Sequence, residues 1–129
     1  MNILLSIKPE YASSILSGMK KYEFRRRLFR HNIERVYIYS GKKIVGSFQI
    51  GSIIEGNPQA IWIKCKDYAG ISKQDYFKYF EGSRKAYAIE IKNAKIFKEP
   101  INPYTVLRNF TPPQSFQYIQ EKIENFISK

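Results

Sequence analysis

A chain of 129 residues has the length of one domain, enough to bury a core and short for two, and its hydrophobic fraction of 43% is that of a globular protein. One cysteine, Cys65, excludes an internal disulfide, one histidine, His31, excludes a Cys/His metal cluster, and no apolar run approaches the ~18 residues of a membrane helix. With 22 Lys plus Arg against 11 Asp plus Glu, the net charge of +11 makes a field that attracts polyanions: RNA, DNA or an anionic membrane face, between which charge alone does not choose. No metal or cofactor is expected. The first residues lack a secretion-signal pattern, so a cytoplasmic location is expected.

Residues 2–8 (NILLSIK) are apolar and β-prone, and Pro9 suits the first turn of a helix. Tyr11/Ile15 and Ala12/Leu16 stand at i, i+4 spacing up to Ser17, and Gly18 supplies a left-handed cap. In residues 20–27 (KKYEFRRR), Tyr22 and Phe24 alternate with Glu23 and Arg25, the period of a half-buried strand, which puts Glu23 and Arg25 on one face. A hairpin is expected from residues 35–40 (RVYIYS) into 43–54. Asn57-Pro58 opens one helix through Trp62 and Lys66, and Ser72 caps another with Asp75 as its third residue, closed by Gly82. Residues 86–91 (AYAIEI) form a late strand, continuing through 94–97 after a break at Asn93. The order of elements is βαβββααββ. Residues 100–110 read as a wrapping loop. A helix capped by Thr111 follows, with Phe116, Ile119, Ile123 and Phe126 on its inner face, giving a barrel over about 2–98 and a loop and helix over about 99–128. No linker or repeat interrupts the chain, so a single domain over 1–129 is expected.

Phosphate-loop, dinucleotide-binding and nucleophile-elbow motifs are missing, and a triad would have to be built on His31, which lies in a basic loop with no motif around it. What stands out is Gly18-Met19-Lys20-Lys21-Tyr22-Glu23-Phe24-Arg25, the spacing G-x-K-x-x-E-x-R, directly after an I-K-P-x-Y-A-x-x-I helix. In this the chain resembles the ASCH domain, a branch of the PUA-like superfamily. The resemblance runs from about residue 4 to 91, and Pro113-Gln114-Ser115-Phe116 is similar to the tail of stand-alone archaeal and bacterial members. It implies an α+β fold: a PUA-like small β-barrel of five or six mostly antiparallel strands with peripheral helices. It also implies a cleft beside the first helix lined by Lys20, Glu23 and Arg25, and a role in RNA binding or metabolism. One group of the family resembles amidohydrolases that deacetylate N4-acetylcytidine, with the lysine matched by Lys20 working beside a threonine and a glutamate. Here the threonine position is Glu23, and Asp67 and Asp75 are the candidates for the second acid.

Read physically, a lysine and an arginine flanking a carboxylate hold a phosphate or a base, Glu23 accepting from an exocyclic amine such as cytosine N4. The plainer alternative is that Glu23 only pairs with Arg25 or Lys21 along the strand face. Nine basic residues lie between 20 and 43 against two acidic ones, Glu23 and Glu34, and Arg25, Arg26, Arg27, Arg30 and Arg35 read as a phosphate-backbone patch. Tyr37 and Tyr39 are candidates for stacking bases on a strand face, with core or barrel-surface packing the equal alternative. Tyr76, Phe77, Tyr79 and Phe80 read as helix core, Trp62 as a packing residue or lid, and Cys65 as an inert thiol. The expectation is an RNA-binding module with a nucleotide-recognising cleft. The alternatives are a hydrolase of a modified nucleoside or of RNA, with Lys20 and Glu23 catalytic, and a basic domain that docks an acidic protein.

Overall fold

The computed structural model describes residues 1–126. Strand β1 (Asn2–Ser6) leads into helix α1 (Pro9–Leu16), followed by β2 (Tyr22–Arg25), β3 (Arg35–Ser40) and β4 (Lys43–Gly56). Two short helices, α2 (Pro58–Cys65) and α3 (Lys73–Tyr79), flank a single 3-10 turn at Lys66–Tyr68. Then come β5 (Ala86–Ile101), helix α4 (Pro103–Val106), strand β6 (Phe116–Ile119) and a 3-10 turn at Ile123–Phe126. The caps are those the side chains dictate. Asn57 accepts from the Ala60 N–H at 2.8 Å, and Ser72 from the Asp75 N–H at 3.1 Å, which satisfies donors that a helix start leaves unpaired.

The strands make one sheet in the order β2-β5-β4-β3-β1-β6, with β1 parallel to β3 and the other ladders antiparallel. The β4–β5 ladder shifts register between Ile44 and Gly46, Ser47 and Gln49, and Ile50 and Ile53, and such bulges bend strands. The result is a curled half-barrel of six strands. Its two edges, β2 and β6, form no ladder, so the expected barrel stays open. The side chain of Arg25 crosses the opening instead. From β2 its guanidinium donates to the Ser6 carbonyl at 2.8 Å and to Ser115 Oγ, just ahead of β6, at 3.2 Å.

Strand alternation divides the interior. Ile3, Leu5, Val36 and Ile38 point to one face and pack on Ala12 and Ile15 of α1. Leu4, Tyr37 and Tyr39 point to the other, under Leu107, Phe110, Ile119 and Ile123 of the C-terminal segment. A third cluster joins α2 and α3 to β2 and β5 through Phe24, Ile61, Cys65, Tyr76, Phe80 and Ala88. No helix among the described residues is long and apolar enough to cross a membrane.

The C-terminal segment corrects the sequence expectation. Residues 116–119 are not helical: β6 pairs antiparallel with β1, Asn2 opposite Ile119 and Leu5 opposite Phe116. The Ser6 N–H donates to the Ser115 carbonyl at 2.9 Å, extending the pairing. Phe116, Tyr118 and Ile119 are good strand formers, and without β6 the outer edge of β1 would be left unpaired. The end of the expected helix, residues 127–128, lies outside the described residues. The expected wrapping loop is also more ordered: β5 runs unbroken through Asn93, at φ +51°, to Ile101, and α4 follows.

Candidate nucleic-acid site

Gly18 follows α1 at φ +86°, a conformation open to glycine at no steric cost. Its reversal lets the N–H groups of Met19 and Lys20 both donate to the Ser14 carbonyl at 3.0 Å, satisfying the end of α1 and turning Lys20 inward. On the far side the Lys21 N–H donates to the Tyr68 carbonyl at 2.9 Å, and the Lys21 carbonyl accepts from Ile91 at 2.9 Å. Lys20 is thus clamped from both sides. Only 2% of it is exposed; its Nζ donates to the Ala69 carbonyl at 2.5 Å and lies 4.8 Å from the Phe24 ring centre and 5.4 Å from that of Tyr11. One of the ammonium's three donors is used, and the other two have no acceptor among the described residues.

Burial strips water from this amine and lowers its pKa to about 8; Glu23 opposes the shift and Arg25 adds to it. Gly70 makes the burial possible. It stands at φ +63° directly against the aliphatic stem of Lys20, where a Cβ would collide with Lys20 Cβ and Cγ.

Glu23 and Arg25 share a face of β2, as their spacing predicts. Glu23 Oε2 accepts from Arg25 Nε at 2.9 Å and from a terminal guanidinium nitrogen at 2.7 Å, so Oε1 is left with no protein donor among the described residues. The simple ion pair of the plainer reading is therefore present. Lys20, Glu23 and Arg25 all border one cavity of about 710 Å³, together with Tyr11, Ser40, Asp75 and Tyr79. Ser40 Oγ is buried with no hydrogen-bond partner among the described residues, as are Asn2 Oδ1 and Ser47 Oγ.

The other sequence candidates disperse. Arg25, Arg26 and Arg27 border a second cavity of about 530 Å³, and Arg25 and Tyr79 belong to both. Arg30 and Arg35 border neither; Arg35 pairs with Glu124 at 3.1 Å. Tyr37 and Tyr39 pack in the core, although Tyr39 also borders the larger cavity. Tyr37 is fully buried, its hydroxyl donating to Glu124 and accepting from the Ile123 N–H at 3.1 Å, and Tyr39 packs on Phe110 at 5.6 Å between ring centres. Both rings face the side of the sheet that the C-terminal segment covers. Trp62 is packed on Tyr76 and Phe77 and borders neither cavity, so it is no lid. Cys65 is buried, which pushes its thiol up to about 11. His31 lies exposed against Tyr118. Asp75 reaches the rim of the larger cavity and Asp67 does not.

Sequence reasoning missed Tyr11, Ser40, Gly70 and the exposed side of Tyr79. Tyr11 was visible in the I-K-P-x-Y run as a helix position; the other three carry no local signal, because their roles come from the chain segment packed opposite.

The curled sheet with α1 laid beside a lysine, glutamate and arginine cleft defines the class. A family model for the ASCH domain matches residues 5–101, and the chain belongs to that family. It is 32% identical to an ASCH domain-containing ribonuclease of Zymomonas mobilis over 92% of this chain and 84% of that protein. It is also 30% identical to the large ribosomal subunit protein uL22 of Ureaplasma parvum, of which it spans 39%. The crystal structure of ASCH from Zymomonas mobilis superposes with a TM-score of 0.86 at 32% identity, covering 93% of this chain and 88% of that one. A tyrosine-to-phenylalanine mutant of the same protein gives 0.86 at 31%, covering 93% and 91%.

Proposed function

We propose that this protein binds single-stranded RNA and cleaves it, one nucleotide entering the cleft over Lys20. The observation that carries the reading is a buried amine with a pKa of about 8 and two uncommitted donors, on the wall of a cavity of nucleotide size. The ribonuclease name of the Zymomonas relative and the ribosomal setting of the Ureaplasma one agree with an RNA partner. Glu23 Oε1 reads the base, accepting from an exocyclic amine such as that of cytosine or adenine. Tyr11 and Tyr79 flank it. At neutral pH roughly a tenth of Lys20 is uncharged. In that form the amine takes the proton of a ribose 2′-hydroxyl, the 2′-oxygen attacks the adjacent phosphorus, and the 5′-oxygen of the next nucleotide leaves with a proton from solvent. The amidohydrolase alternative has its lysine in place, but the carboxylate of Glu23, held by Arg25, stands where that chemistry uses a threonine hydroxyl.

A labelled single-stranded RNA incubated with the protein across pH 6–10 tests this. Cleavage is expected to rise with pH and level off above about 8, as Lys20 loses its proton, and to disappear in Lys20→Ala. A single 2′-deoxy substitution at the scissile nucleotide should stop cleavage and leave binding intact. Binding without turnover would remove the nuclease half of the proposal, and absence of binding at low salt would remove both.

A further inference from the structure

We propose that the second cavity is a phosphate subsite, so that the protein holds a polynucleotide in two parts: a nucleoside in the cleft and the neighbouring phosphate among Arg26, Arg27 and Arg84. The identity of the ligand rests on the RNA reading above; the anion site rests on its own geometry.

The β2–β5 ladder builds it. Arg25 is opposite Tyr87, so the antiparallel chains carry Arg26 and Arg27 past the end of β2 toward Arg84 and Lys85, just ahead of β5. These residues, with Ser83, border the cavity of about 530 Å³, and Glu81 is the one carboxylate on its rim among the described residues. The cations are not equivalent. Arg25 is tied to Glu23 at 2.7 Å and Lys85 to Glu55 at 2.8 Å, whereas Arg26, Arg27 and Arg84 have no carboxylate within 4.0 Å among the described residues. Three free guanidinium groups around one concavity are a donor set for phosphate oxygens, which arginine forks match in shape as well as charge.

Two details favour a phosphate over an acidic protein surface. The Arg26 guanidinium lies on the Tyr79 ring, 4.8 Å from its centre, which holds one fork in position before any ligand arrives. Tyr79 and Arg25 also line both cavities, so the cleft and the outer cavity adjoin. A chain that alternates nucleoside and phosphate fits such a pair; a flat acidic face does not.

The test compares cytidine, 3′-CMP and 5′-CMP by NMR titration of the wild-type protein and of Arg84→Ala and Arg27→Ala, with inorganic pyrophosphate and a glutamate-rich peptide as further probes. One of the two monophosphates should bind about tenfold tighter than cytidine, as expected for a charge-assisted bidentate contact, and the arginine variants should erase most of that ratio. Pyrophosphate should shift the amides of Gly82 and Ser83. If the monophosphates bind no better than cytidine, the subsite is overturned while RNA binding stands. Shifts of Gly82 and Ser83 by pyrophosphate, in a protein that binds no RNA, would leave the anion site standing and defeat the RNA reading. Tighter binding of the peptide than of either monophosphate at these residues would overturn the proposal, and silence from every probe would overturn both readings.

Discussion

The two cavities on either side of Arg25 hold cations in opposite ways. In the cleft, Lys20 is buried and fastened by Ala69, Phe24 and Gly70, and the fold sacrifices stability to keep it there. In the outer cavity, Arg26, Arg27 and Arg84 are exposed, and their charge costs the fold almost nothing. A desolvated amine is suited to chemistry, because burial brings its pKa toward the working pH, whereas solvated guanidinium groups are suited to attraction, because they stay charged at every pH and are weakened only by salt. The first site should therefore respond to pH and to shape, the second to ionic strength.

The largest effect expected from this contrast is on stability. Lys20 has a folded pKa of about 8 against an ordinary 10.5, so between those values the unfolded chain binds the proton that the folded one has released. Stability contributed by this group therefore rises with pH across that window, and below it the buried charge costs roughly 3 kcal/mol. Denaturant unfolding at pH 7, 8.5 and 10 should show this rise in the wild type and a flatter profile in Lys20→Met. Parallel profiles for the two proteins would mean that Lys20 is solvated, and the contrast between the two sites would collapse.

Gly70→Ala gives a smaller and more pointed effect. The left-handed backbone at φ +63° strains any other residue by about 1–2 kcal/mol, and the added methyl must push the stem of Lys20 aside. Unfolding free energy should fall by about that amount, and RNA cleavage should fall about tenfold or more because the amine is displaced. A loss of stability with wild-type cleavage would show that the position of Lys20 is immaterial to function.

The smallest effect on the fold belongs to the outer site. Arg26→Ala combined with Arg27→Ala should leave unfolding within about 0.5 kcal/mol of wild type, as for exposed side chains. The slope of log affinity for single-stranded RNA against log salt should drop by about 0.7 for each phosphate that the protein no longer neutralises. An unchanged slope would place the RNA path elsewhere on this basic surface.

Local signals were enough for the first half of the chain. Pro9 and Gly18 bracket α1, and the two-residue period of Glu23 and Arg25 puts both on one strand face; each depends only on near neighbours, whereas the cleft joining them to Lys20 was an expectation from the family resemblance. Asn57 and Ser72 announce α2 and α3 for the same reason. The spacing of Phe116, Ile119, Ile123 and Phe126 looked helical, yet the segment is a strand and a 3-10 turn, because what decides it is the free edge of β1 more than a hundred residues earlier. That pairing also drew Leu107, Phe110 and Ile123 over Tyr37 and Tyr39, burying two rings that the sequence left open between base stacking and packing. Gly70 and Arg84 acquired their places in the same manner, one pressed onto Lys20 and the other carried to Arg27 by the β2–β5 ladder. Sequence alone determined which residues carry charge and which backbone positions turn; only long-range pairing decided which of them face each other, since the meeting of distant segments leaves no period in either one.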